Sequence, residues 1–244
     1  MTVPMNGPLW VIVPAFDEAA RIGDTLRALA AQTDTDFTLL VVDNGSTDGT
    51  AALARSFGAR VLAEPEKGVG CAVDTGFRYA IAHGAVHLAR TDADCVPAPG
   101  WVAAARRALT KSPGLACGRI VARADEHGPL GRAFFRLLVA LAAGFGRIRP
   151  AHRGPEFRAP YRMHAGNNMA ITADLYLACG GMPRRPSPTD RTFLNRVRRT
   201  TPVIVHSREM VVANSTRRIR AYGVVGTAKW YLDRGSGLRT ADPR

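Results

Sequence analysis

The chain has 244 residues, 46% of them apolar and 22% charged, which excludes wholesale disorder, collagen-like repeats and low-complexity tracts. The net charge of +13 is uneven: residues 1–100 hold 7 basic and 12 acidic side chains, residues 101–244 hold 26 and 8. No window of about 18 residues is free of charge, so no transmembrane helix is expected. The start MTVPMNGPLW lacks the basic end and apolar run of a secretory signal. The four cysteines (Cys71, Cys95, Cys117, Cys179) fit neither a zinc pattern nor a disulfide framework and read as reduced, buried thiols of a cytoplasmic protein. The basic second half suits an anionic partner: a phosphate-bearing substrate, an anionic membrane face or nucleic acid. Charge alone does not choose among them.

The first hundred residues alternate between short apolar runs and helical stripes. LWVIV (9–13) predicts a strand, Leu26, Leu29 and Ala30 a helix after it, and FTLLVVD (37–43) a second strand. Asp48 can cap the next helix and Gly58 close it. ARVLA (59–63) predicts a third strand, residues 69–84 a helix, and AVHLART (85–91) a fourth strand. Strands separated by helices imply right-handed crossovers and a buried, mostly parallel sheet flanked by helices. Further on, 101–110 predicts a helix, LACGRIVAR (115–123) a strand, and 134–146 a helix with one apolar face near Arg132, Arg136 and Arg147. Residues 147–164 read as a loop over the site. An ordered segment begins at Gly166–Ile171, a short helix passes through Leu175 and Leu177, and Gly180–Gly181 break it. A helix over 191–199 is capped by Thr189 or Asp190, 202–214 alternates like two paired strands, and the basic tail holds a helix through Trp230 and Leu232. With no internal repeat and no clear linker, 1–244 reads as one domain: a nucleotide-binding half (1–100) and a smaller acceptor-side half (101–244).

The TDAD segment at 91–94 ends an apolar strand, where ligands gather in open parallel sheets. Two carboxylates at i and i+2, Asp92 and Asp94, can reach one hard divalent cation, and a cation there would neutralise a diphosphate leaving group. A solvated acidic turn is the plainer alternative. In VVDNGSTDGT (41–50), Gly45, Ser46 and Asp48 are explained by turn chemistry. Asp43, just inside a buried strand end, needs a partner such as the N–H of a base, beside Asn44. VPAFDE (13–18) has the same placement after the first strand; Glu18 can line a base pocket or cap a helix.

Together these segments resemble the family-2 glycosyltransferases, the inverting, nucleotide-sugar-dependent enzymes of the GT-A fold. VIVPAFDE is similar to that family's opening strand and P-x-[FY]-[ND]-E turn, VVDNGSTDGT to its nucleotide loop, EKGVGCAVDTGF (66–77) to its N-x-G segment, and TDAD to its D-x-D motif. The likeness continues more loosely through GNNMAI, GGM and PTDRTFLNRVRR and fades at STRR, with 124–164 unmatched. It implies a GT-A domain that transfers one hexose-type sugar from a nucleoside-diphosphate donor to a hydroxyl acceptor. Pro14, Ala15, Phe16, Glu18, Asp43, Asn44, Lys67, Gly68 and Asp92 would contact the nucleotide. Asp94, with Asp92, would hold Mn2+ or Mg2+; His206 either completes that shell or is structural. Gly166, Asn167, Asn168, Arg217 and Arg218 would touch donor or acceptor. The base would be the Asp of an E-D pair that precedes a Leu and an Arg, here Asp190 followed by Leu194 and Arg196, with Thr189 in place of the Glu.

The family's processive synthases carry membrane spans and a Q-x-x-R-W motif, and neither occurs here. The helix at 134–146 can lie on a membrane surface, at its cytoplasmic face, or pack as an acceptor-site helix. Two other readings stand beside transfer. The missing Glu suits a non-catalytic nucleotide-sugar-binding protein. The basic half suits a nucleic-acid-binding protein, although no recognisable nucleic-acid motif is present and no nucleic-acid partner is expected.

Overall fold

Residue parity along the strands sets the layering of the protein, described in a computed structural model for residues 7–148, 154–162, 164–184, 189–217, 221 and 223. Every residue of β1 (Leu9–Ala15) is buried. Its odd positions Leu9, Val11, Val13 and Ala15 enter one core and its even positions Trp10 and Ile12 the other. The same division holds in β2 (Thr38–Asp43), β4 (His87–Thr91), β6 (Leu115–Ala122) and β7 (Asn168–Thr172). Val41, Ala89, Ala116 and Ala170 face the first core, while Leu40, Leu88, Leu115 and Met169 face the second.

A sheet apolar on both faces needs helices on both. The first core is covered by α1 (Ile22–Ala30), α2 (Thr50–Ser56) and α4 (Trp101–Lys111), and the second by α3 (Val69–Ala82), α6 (Ala173–Ala178) and α7 (Thr189–Thr200). Helix α3 lies close against the sheet because Gly76 has no side chain; a Cβ there would come within 2.7 Å of Val42 and 2.8 Å of Ile12.

With β3 (Arg60–Ala63), β5 (Val96–Pro97) and β8 (Ile204–Asn214), the eight strands run in the order β3-β2-β1-β4-β7-β6-β8-β5. The expected parallel pattern holds from β3 to β4. Beyond β4 the sheet is mixed: β7 runs antiparallel to β4 and β6, β8 parallel to β6, and β5 antiparallel to β8.

The two strands expected within 202–214 are one. Ile204–His206 pair with Leu115–Cys117 and Val211–Asn214 with Arg119–Ala122, so both alternating runs share one neighbour and cannot pair with each other. The register shifts between Cys117 and Arg119, where the residues after His206 bulge from the ladder. Helix α5 (Pro129–Ile148) extends the predicted 134–146 segment in both directions. The α2 N-cap is Gly49, with Asp48 acting one residue upstream: its carboxylate accepts the Thr50 N–H at 2.9 Å and the Ala19 N–H at 3.0 Å. Thr189 and Asp190 lie inside the first turn of α7. The predicted tail helix through Trp230 and Leu232 lies outside the described residues.

Candidate active site

The C-terminal ends of β1, β2 and β4 point to one edge of the sheet, so the loops that follow them form a common rim. The β1–α1 and β2–α2 loops are stitched together. Asp17, at φ 49°, accepts the Thr47 N–H at 2.7 Å and gives its own N–H to Ser46 Oγ at 2.9 Å, while the Glu18 N–H meets Thr50 Oγ1 at 2.8 Å. Pro14 and Ala15 pair with Val42 and Asp43 at the rim, and Asp43 accepts the Ser46 N–H at 3.3 Å.

Asn44 is buried and its amide is fully engaged. It donates to the carbonyls of Glu64 (2.9 Å) and Glu66 (2.7 Å) and accepts the Gly68 N–H at 2.7 Å. The Asn44 side chain is therefore spent on fixing the loop before α3. Gly68, at φ 136°, occupies a conformation that other residues rarely adopt. The Lys67 ammonium donates to the carbonyls of Asn44 (2.9 Å) and Gly45 (3.0 Å) and sits 3.6 Å from the centre of the Phe16 ring.

The decisive residue was not among those expected. Arg90, on β4 and 2% exposed, places Nη2 3.0 Å from Asp92 Oδ1 and Nη1 3.0 Å from Asp190 Oδ1. One buried guanidinium thus joins the start of the D-x-D segment to the first turn of α7, 98 residues further along the chain. A Cβ on Gly166 would lie 2.1 Å from Asp190 Oδ1, so the carboxylate rests directly against that glycine. Nearby, His164 is half-buried with its ring turned inward, and burial pushes its imidazole down to about 4; the Arg90 and His206 charges push the same way and Asp190 opposes. His164 is therefore neutral at physiological pH.

Asp94 faces a second arginine. Arg217 grips Glu18 with both terminal nitrogens, one of them at 2.9 Å, and lies 3.4 Å from Asp94 Oδ2. The turn carrying Asp94 is held from below by the Thr25 hydroxyl, which lies 2.8 Å from the Ala93 carbonyl and 2.7 Å from that of Cys95. Cys95 is buried beside Asp94 and Asn214, and burial, with the charges of Asp94 and Asp92, pushes its thiol up. It is a packing residue, as are the other three free, buried cysteines.

One expected contact becomes framework. Asn168 is fully buried, accepts from Trp101 Nε1 at 2.8 Å and donates to the carbonyls of Arg119 (2.9 Å) and Met210 (3.1 Å), leaving no atom for a sugar. Asn167 donates to Asn214 and to Cys95 Sγ, 3.2 Å away. Arg218 lies outside the described residues.

Asp92 and Asp94 supply hard oxygen donors. Burial and the charges of Asp94 and Asp190 push the Asp92 carboxyl up, with Arg90 opposing, so added positive charge would relieve this crowding. Among the described residues no group of three or more His, Cys, Asp or Glu can hold a metal, so His206, opposite Cys117 on β8, does not complete a shell with them. Two carboxylates fit a Mg2+-like ion that takes its remaining ligands from phosphate and water.

Comparison with known proteins bears on this edge of the sheet. The profile of glycosyl transferase family 2 matches residues 10–172. The chain is 39% identical over 100 residues to the glycosyltransferase AglE of Haloferax volcanii, covering 38% of this chain and 32% of AglE. It is 32% identical over 145 residues to an uncharacterized glycosyltransferase of Mycobacterium tuberculosis, covering 59% of this chain and 61% of that protein. Both alignments span less than two thirds of the relative's length. The mannosyltransferase PcManGT of Pyrobaculum calidifontis, solved with GDP-Man and Mn2+, superposes with a TM-score of 0.62 at 20% identity over 98% of this chain and 66% of its own. At that identity the likeness shows the GT-A fold.

Proposed function

Since the chain belongs to glycosyl transferase family 2, we propose that it moves one sugar from a nucleoside-diphosphate donor to an acceptor hydroxyl, inverting the anomeric centre, with Asp190 as general base. The observation that carries this reading is the Arg90 bridge, with Asp92 on one side and Asp190 on the other, 3.0 Å from each. A donor held at Asp92 and Asp94 then has its anomeric carbon near a carboxylate able to take a proton.

In this reading Asp43 accepts a hydrogen bond from the base at the end of β2, beside the backbone of Pro14, Ala15 and Phe16. Lys67 lines the rim next to the phosphates. A divalent ion, Mn2+ or Mg2+, would be held by Asp94 with Asp92 and would neutralise the leaving diphosphate; PcManGT, which shares the fold, was solved with Mn2+. Asp190 lies in the first turn of α7, where the helix end favours negative charge. It takes the acceptor's proton as the hydroxyl oxygen bonds to the anomeric carbon, and the diphosphate leaves from the opposite face with the bonding pair. Residues 1–244 act as one unit in the cytoplasm, the first hundred holding the donor and the remainder the acceptor.

The test couples binding to turnover. Thermal-shift screening against nucleotide sugars with Mn2+ or Mg2+ should reveal a donor that stabilises the protein, since a ligand bound only to the native state must do so. Asp190→Asn should keep that stabilisation while slow transfer of the sugar to water falls by about 10²–10⁴. Undiminished turnover in Asp190→Asn would remove the base. Donor binding without any turnover in the natural chain would favour the non-catalytic reading suggested by Thr189.

A further inference from the structure

Helix α5 turns a row of large apolar side chains to solvent. Leu130, Phe134, Leu137 and Leu141 are 88%, 46%, 54% and 61% exposed. Their spacing of four, three and four residues brings all four within roughly 60° of arc on one side of the helix. Ala133, Ala140 and Gly144 fill the rest of that side, while Phe135 points inward and is buried. No acidic residue occurs between Pro129 and Ile148, and residues 132–162 hold seven arginines against Glu156 alone. Arg136 lies roughly 100° and Arg132 roughly 140° round the helix from Leu137, on the same flank; both are exposed. A continuous apolar face of this kind marks an interaction surface.

Its chemistry selects among partners. Nucleic acid would meet the arginines but offers nothing to the leucines. A two-fold pairing of identical helices would set like patches together and bring arginine toward arginine. A bilayer bearing anionic headgroups satisfies both: acyl chains take the apolar row and lipid phosphates the guanidinium groups. No helix among the described residues is long and apolar enough to cross a membrane, so α5 would lie in the plane of the surface. We propose that α5 is an interfacial helix that seats the protein on an anionic membrane.

The attachment lies beside the cleft. Glu126, three residues before α5, accepts the Thr216 N–H at 2.7 Å and pairs with Arg21 at 2.7 Å. Next to Thr216, Arg217 binds Glu18 and approaches Asp94. The near end of the helix is therefore tied to the segment after β8 whose Arg217 reaches Asp94.

Flotation of the full chain with vesicles of phosphatidylcholine, alone or mixed with phosphatidylglycerol, tests this. The natural chain should float with the mixed vesicles and much less with the neutral ones. Leu137→Glu combined with Leu141→Glu should lower the bound fraction by at least about tenfold. Arg132→Glu with Arg136→Glu should lower it by at least about fivefold per arginine. Leu177→Glu, at an exposed apolar site on α6, should leave binding unchanged. These positions are exposed, so unchanged melting would verify that the variants fold. Flotation that is absent, or equal with and without Glu at 137 and 141, would overturn the proposal. So would a dimer, seen by light scattering, that the same substitutions dissociate.

Discussion

Gly166 is needed where Asp190 leaves no room: an added methyl would meet the carboxylate at 2.1 Å. With Asp190 as the proposed base, Gly166→Ala is expected to lower turnover by about 10²-fold, the cost of displacing that carboxylate by about 1 Å. Donor-induced thermal stabilisation should not change. Equal turnover would mean that Asp190 finds an equally productive position elsewhere. The sequence makes the acids at this edge legible because turn-forming carboxylates at strand ends stand out. It does not make Arg90 legible by family pattern, although one physical rule points to it. A cation in the middle of the apolar run HLART must either break the strand or find anions within reach, and Arg90 has found two half-buried ones. Asn44 and Asn168 mislead in the opposite direction. Both look like ligand-facing amides in their motifs, and both are occupied by backbone partners that no local pattern reveals.

At the scale of elements, the loop between β6 and α5 is fastened to the end of β8 by one carboxylate. Burial alone would raise Glu126, but hydrogen bonds from Thr216, Ser215 and Arg21 outweigh it and hold the group down to about 2, against an ordinary 4.5. A depressed carboxylate stabilises the fold fully above about pH 4.5, and the contribution is lost as pH falls toward 2. Glu126→Gln should therefore cost up to about 3 kcal/mol in urea unfolding at pH 7, with the difference from the natural chain shrinking below pH 4.5. A difference independent of pH would assign the effect to packing. β1, β2 and β4 were legible because each is an apolar run largely buried on both faces. β8 was not, since alternation identifies a strand without naming its neighbour, and two runs on one partner look like a hairpin until the pairing is known.

Over the whole molecule, the charge imbalance between the halves is partly resolved inside the fold. Arg106 pairs with Asp34, Arg123 with Asp24, Arg184 with Glu64 and Glu66, and Arg217 with Glu18 and Asp94. Composition alone assigns the basic second half to an outside anion; in the structure it also closes on the acidic first half. Glu18 and Asp94 are mostly buried, so Arg217→Met would remove a cation that two buried carboxylates share. It is expected to lower stability by about 3 kcal/mol in urea unfolding without donor. A loss below about 1 kcal/mol would show that water replaces the arginine. The GT-A architecture was legible because the strands β1 to β4 and their helices are local in sequence, whereas these closures join residues up to 199 positions apart. The Asn44 amide works as a keystone among them: it carries no traffic, yet three spans of the arch rest on it. In the proposed reading, truncating it would impair nucleotide capture by letting the masonry sag, so a damaged phenotype at that position reports architecture and does not identify a hand that touches the cargo.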